Sequence, residues 1–225
     1  MTHNPEQQSQ YPSKPTRVWD LFIRIFHWSL VGLVAISYLS GEFEFEFEIH
    51  SYSGYAIFSL VLLRIIWGFV GSKYARFKNF IYSPSNVMAY IKSIVTGNPK
   101  RFLGHNPAGG MMVLALLTVL STTTLSGMKL YAIEEGEGPF ASNVHISLVN
   151  QAYADSDENE HRSKEDEHHE EEKEGEEFWE EIHETSINLL MLLILLHVIG
   201  VVLASKQHKE NLARSMVTGD KAPLR

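Results

Sequence analysis

Residues 183–197 read HETSINLLMLLILLH. Nearly all of the stretch is apolar enough for a bilayer interior, and a histidine stands at each end. The two histidines are fourteen residues apart. At ~100° per residue, fourteen steps turn a helix through about 1400°, within ~40° of a whole number of turns. Both imidazoles therefore leave the same face, separated by roughly 21 Å along the axis. A bilayer core is ~30 Å thick, which predicts one ring near each membrane surface. Neutral imidazole is a common axial ligand of haem iron. A helix with histidines on one face at two depths suits two stacked haems, provided other helices supply the opposite ligands.

The rest of the chain sets the class. It has 225 residues, a formal charge of −8 and no cysteine. Without cysteine there are no thiolate-held zinc or iron–sulfur sites, no disulfides and no covalent haem attachment. Any haem is therefore non-covalent and b-type. The mean hydropathy of −0.10 averages two kinds of sequence. Fifteen of the 27 acidic residues fall between Asp155 and Glu181, and outside that block lie four long apolar stretches. A membrane span needs ~20 mostly apolar residues, which predicts spans at about 20–40, 51–71, 110–131 and 185–205. The first follows a polar tail and carries Arg24 and His27 inside it, so it reads as a retained helix rather than a cleavable signal.

Residues 1–16 are polar and rich in Pro and Gln, a composition that predicts a disordered tail holding His3. Trp19 and Trp28 suit an interfacial belt around the first span. The alternating EFEFEFE of residues 42–48 reads as a short acidic connector. The second span opens at His50, with Gly54 four residues on and Arg64 fourteen on, all near one face. The connector 72–109 holds Lys73, Arg76, Lys78, Lys92, Lys100 and Arg101 and no acidic residue. Within it, residues 84–96 predict an amphipathic helix on the membrane, started by Pro84. The third span has Ser and Thr at 121–124, able to bond back to the helix or across to a neighbour.

Lys and Arg concentrate in both termini and in 72–109, while 42–48 and 133–181 are dominated by Glu. The positive-inside rule puts the termini and the middle loop in the cytoplasm. Topology then restricts which histidines meet. His27, near the inner end of the first span, lies at the depth of His197. His50, outermost on the second, is level with His183. The expected pairs are His27 with His197 and His50 with His183.

Several segments carry a resemblance: RIFHW (24–28), HSYSGY (50–55), LLRIIWGFVGSKYARF (62–77), LGHNPAGG (103–110), FWEEIHE (178–184), LLHVIG (195–200) and ENLARSMVTGDK (210–221). In this order, over roughly residues 16–132 and 176–221, the chain resembles the bacterial cytochrome b561 family, related to the b-type cytochrome subunits of nickel–iron hydrogenases. The resemblance implies four membrane helices, two b haems, and electron transfer between membrane quinone and a redox partner. It carries over His27, His50, His183 and His197 as the axial ligands.

The expected fold is an all-α membrane protein, a four-transmembrane-helix bundle holding two b haems with a long acidic loop between helices 3 and 4. Its parts are a cytoplasmic tail (1–16), helices 1–3 with the cytoplasmic loop 72–109 (17–132), an acidic His-rich periplasmic loop (133–181), helix 4 (182–205) and a cytoplasmic basic tail (206–225). The expected setting is the bacterial inner membrane, with lipid, quinone and a periplasmic cytochrome or other redox protein as partners and no nucleic acid. Haem propionates need cations. Arg64 and Lys129 are the first candidates, with Arg24 close to the first span's histidine, against snorkelling to headgroups. His105 suits a quinone or propionate contact, against a helix-start motif in GHNPAGG. Gly32, Gly54 and Gly127 leave room for a macrocycle or for close helix contact. The expected role is an electron-transfer cytochrome, a quinone oxidoreductase if it has an enzymatic role. A subunit anchoring a hydrogenase or periplasmic dehydrogenase is the neighbouring alternative. A metal-ion transporter collecting ions on His145, His161, His168 and His169 is the different-class one.

Overall fold

The computed structural model describes residues 15–42, 47–97, 99–141 and 158–222. In chain order these form β1 (Thr16–Arg17), α1 (Leu21–Glu42), α2 (Phe47–Val70), a 3₁₀ turn (Phe77–Asn79), α3 (Pro84–Val95), α4 (Pro107–Glu134), α5 (Glu158–His208), α6 (Leu212–Thr218) and β2 (Asp220–Lys221). Among the described residues four stretches are long and apolar enough to cross a membrane: Leu21–Gly41, Glu48–Val70, Pro107–Glu134 and Gly175–His208. Their outward side chains, including Ile25, Val31, Leu63, Ile66, Leu192 and Val202, are exposed apolar groups. Lipid is the solvent such a surface fits.

Local sequence fixes where the helices start. The Asp20 carboxylate accepts from Ile23 N–H at 2.9 Å and so caps α1. Ser83 accepts from Asn86 N–H ahead of Pro84, the first residue of α3. Asn106 accepts from Gly109 N–H at 2.7 Å ahead of Pro107, which is the helix start that GHNPAGG suggested. Asn211 caps α6, and Gly219, with φ 89°, ends it in the left-handed conformation that a side chain disfavours.

Three boundaries differ from expectation. The acidic stretch expected as a loop through Glu181 is helical from Glu158 onward. Glu and Lys are good helix formers, residues 158–181 contain no proline, and extending an existing helix requires no new nucleus. Thr16, expected in the tail, pairs antiparallel with Lys221, and Arg17 pairs with Asp220. The basic tail after residue 205 is structured as well. Gly219 O accepts from Val18 and Trp19 N–H at 2.9 and 3.0 Å, and Arg101 bonds both Glu210 (3.1 Å) and the Ala222 carbonyl (2.6 Å). His3, most of the EFEFEFE connector and His145 lie outside the described residues. So do the side chains of His161, His168 and His169.

The chain divides into two compact units, and each of the four spans contributes to both. Unit 1 takes the described residues of Met1–Trp28, Arg64–Leu114 and Leu195–Arg225; unit 2 takes those of Ser29–Leu63 and Ala115–Ile194. In unit 1, Val18, Trp19, Ile23 and Ala75 form a core against Phe22, Trp67, Tyr74, Leu103 and Met216. Asp20 ties that core together: besides capping α1 it accepts from Trp67 Nε1–H (3.1 Å) and the Ser72 hydroxyl. In unit 2 the buried residues include Ile57, Val61, Leu120, Met128 and Leu190. Asp20→Ala strands three donors at once. It should cost about 2–3 kcal/mol, read as a lower thermal unfolding midpoint of the detergent-solubilised protein.

Candidate functional site: two histidine pairs

Unit 2 brings His50 to His183. Their ring centres are 6.2 Å apart with the planes at 83°. Both rings are fixed from behind. His50 Nδ1–H donates to the Ser37 carbonyl at 2.9 Å. His183 Nδ1–H donates to the Thr123 carbonyl at 2.9 Å, with Ser126 Oγ at 3.2 Å. A carbonyl can only accept, so in each ring Nδ1 carries the proton and Nε2 keeps its lone pair for a ligand. The Ser and Thr run of α4 serves this arrangement. The hydroxyls of residues 121–124 bond back to carbonyls four residues earlier, and Thr123 Oγ1 is 2.9 Å from Ser186 Oγ on α5. Gly127 lets the ring approach, since a Cβ there would lie 2.8 Å from His183 Cε1. A cavity of about 260 Å³ adjoins the pair, with Val34, Gly54, Tyr55, Gly127, Leu190 and Met191 in its wall.

Unit 1 brings His27 to His197, ring centres 6.5 Å apart and planes at 51°. Here His27 Nδ1 is shut from solvent with no hydrogen-bond partner among the described residues. The same unit holds other shielded nitrogens without partners among the described residues: Arg24 Nε, Arg64 Nη1, Arg76 Nε and His105 Nδ1. Arg64 is 3 % exposed. Its Nη2 donates to the Ala75 carbonyl at 3.2 Å, and its guanidinium lies over the Phe77 ring at 5.2 Å. Three buried guanidinium donors with no acceptor among the described residues call for an anion.

The ring separations test what could sit between the histidines. Imidazole nitrogens bind metal ions at ~2.0–2.1 Å; with about 1.1 Å from nitrogen to ring centre, two rings on opposite sides of one metal stand about 6.3 Å apart. Both pairs are within 0.2 Å of that figure. Two nitrogens are too few for a bare ion, and no group of three or more His, Cys, Asp or Glu that could hold one occurs among the described residues. Two axial imidazoles do suit an iron whose other four positions a macrocycle fills. Paired imidazoles beside an apolar cavity in unit 2, and paired imidazoles in the unit that holds the shielded guanidinium nitrogens, each fit a b-type haem.

The other sequence candidates are distributed as follows. Arg24 and Arg64 belong to unit 1 with the His27–His197 pair. Lys129 belongs to unit 2 but is not among the residues lining its cavity. Gly54 and Gly127 line that cavity, and Gly32 does not. His105 packs between Trp19 and Phe80, with ring centres at 4.8 and 4.5 Å, and its carbonyl accepts from Tyr82 OH at 3.1 Å. Sequence reading missed Arg76, Ser37, Ser126 and Tyr55. Of these, only Ser126 left a trace: a polar residue deep in an apolar span.

Burial, with Arg64, Lys221 and His197 nearby, pushes the His105 pKa down to about 3. The folded chain therefore keeps His105 neutral at pH values where the unfolded chain protonates it. Its contribution to stability is complete above pH 6.5 and is lost as pH falls toward 3, by up to about 1.4 kcal/mol per pH unit. His105→Asn should make the acid limb of the stability profile shallower. A second variant, Gly127→Ala, should displace the His183 ring and cost about 1–3 kcal/mol, measurable by thermal unfolding.

No curated protein and no solved structure matched the chain. The family model for prokaryotic cytochrome b561 matches residues 18–219. With the paired imidazoles and four apolar helices, that match makes the chain a member of the prokaryotic cytochrome b561 family, a multi-pass membrane b-type cytochrome of electron transfer.

Proposed function

We propose that this protein carries two b haems and passes electrons between membrane quinone and a periplasmic redox partner. The observation that supports it best is the pair of ring separations, 6.5 and 6.2 Å, each matched to a metal held between two imidazoles. His27 and His197 would hold one haem and His50 and His183 the other. Bound haem would supply one-electron chemistry; the chain supplies direction, burial and charge.

Each ring contributes a neutral nitrogen. In unit 2 the Ser37 and Thr123 carbonyls hold the protonated Nδ1 and leave Nε2 free to ligate. In unit 1 Arg24, Arg64 and Arg76 offer N–H donors to haem propionates, and His105 stands as a further propionate or quinone contact. In unit 2 the shielded Tyr55 hydroxyl, without a partner among the described residues, is a donor in the cavity wall, and Lys129, outside that wall, is the candidate cation for propionate. Positive-inside charge placement supports a bacterial inner-membrane protein with both termini and residues 72–109 in the cytoplasm. Quinone and the periplasmic partner are carried by family membership.

Purified protein should show a b-type α band in the reduced-minus-oxidised spectrum and two haems per chain. His197→Ala or His27→Ala should reduce that ratio to about one, as should His50→Ala or His183→Ala, and a double variant drawn from both pairs should bring it near zero. A colourless wild-type protein, or His197→Ala with both haems at full occupancy, would refute the assignment.

A further inference from the structure

We propose that the junction between α5 and α6 is a binding site for one anionic phospholipid, with its phosphate on Lys206 and Lys209 and an acyl chain along Val201 and Val202. The site belongs to unit 1, at the end of the apolar span Gly175–His208. It does not depend on the haem assignment.

The backbone builds a notch there. α5 ends at His208, Lys209 takes a φ of 51°, and α6 starts at Leu212 behind the Asn211 cap. Lys209 is the one non-glycine residue with positive φ among the described residues, a conformation that a lysine holds where its surroundings impose it. Ser205 fastens the turn. Its carbonyl accepts from Glu210 N–H at 3.1 Å, and its hydroxyl accepts from Leu212 N–H at 3.3 Å. The resulting cavity is about 440 Å³, with Val201, Val202, Lys206, Lys209, Glu210 and Ala213 in its wall.

Charge selects the occupant. Glu210 is the carboxylate in that wall, and it is already engaged, accepting from Arg101 Nη2–H and from Ala222 N–H, each at 3.1 Å. Lys206 and Lys209 are exposed, and neither forms an ion pair among the described residues. Two uncompensated lysines thus line one cavity at the edge of the membrane, where a basic pocket attracts an anionic headgroup. A phosphoglycerol headgroup matches them, whereas a choline headgroup brings a competing cation. The apolar part of the wall selects a lipid over a free anion. Leu195, Val198 and Val202 follow one another along α5 at steps of three and four and are all exposed, so an apolar strip runs from the span into the notch. An acyl chain covers that strip and inorganic phosphate does not.

Native mass spectrometry of the full-length, delipidated protein in detergent tests this, with phosphatidylglycerol and phosphatidylcholine of identical chains as probes. Wild type should bind one phosphatidylglycerol per chain about 30-fold more tightly than phosphatidylcholine. Lys206→Gln combined with Lys209→Gln should bring the two lipids to similar affinity. Lys78→Gln combined with Lys92→Gln, exposed lysines outside the cavity wall, should leave the preference in place. Equal binding of both lipids by wild type overturns the site, as does a preference that survives the Lys206 and Lys209 changes. A preference lost equally in both double variants reveals a general attraction of surface charge and overturns it too. Displacement of phosphatidylglycerol by inorganic phosphate at equal concentration overturns the lipid in favour of a free anion.

Discussion

A backbone in hydrocarbon has no water to bond, so its N–H and C=O groups must be satisfied within the segment itself. Long uninterrupted helices meet that demand, and here they do so four times over. The same demand turns sequence spacing into geometry. Once Gly175–His208 is helical throughout, fourteen residues fix the face from which His183 and His197 project. Nothing in loop chemistry could have given two histidines so definite a relation.

The helices also leave a few lone pairs over, and the site uses them. A helical carbonyl has two lone pairs and the ladder takes one. Beyond the ladder, the Thr123 carbonyl accepts from His183 Nδ1–H and the Ser126 hydroxyl in a shared arrangement, and the Ser37 carbonyl from His50 Nδ1–H and the Ser40 hydroxyl. Histidine orientation thus comes from main-chain atoms as rigid as the helix that carries them, and the tautomer follows without a carboxylate.

The spans, the amphipathic α3 behind Pro84, the Asn106–Pro107 helix start and the matched histidines were legible because each is a local pattern: periodicity, a cap, a fixed offset. What stayed hidden depends on contacts between distant parts of the chain or on cooperativity. Arg76 looked like one of several basic loop residues until Arg64, twelve positions earlier, was found bonded to the neighbouring Ala75 carbonyl. Asp20 could be read as a cap but not as the acceptor for Trp67 and Ser72. The stretch from Glu158 was misjudged because its polarity says loop, while its helix propensity and its attachment to an apolar helix prevail.

The cations of unit 1 bear on why a cofactor belongs to this fold at all. Arg64 is almost fully enclosed, and its Nη1 has no acceptor among the described residues; burying an unpaired charge in a low-dielectric setting is strongly unfavourable. Snorkelling, the usual escape for arginine in a span, is closed to it because the Ala75 carbonyl and the Phe77 ring hold the guanidinium inside. Asp20 lends electrostatic support but has its hydrogen bonds elsewhere. An arrangement this costly without an anion is stabilised by one, and under the proposed function the propionates of a haem between His27 and His197 would supply it. Binding and folding would then be linked: an anion bound beside these guanidinium groups stabilises the folded form of unit 1, and the charge that destabilises the unit without it is the charge that recruits it.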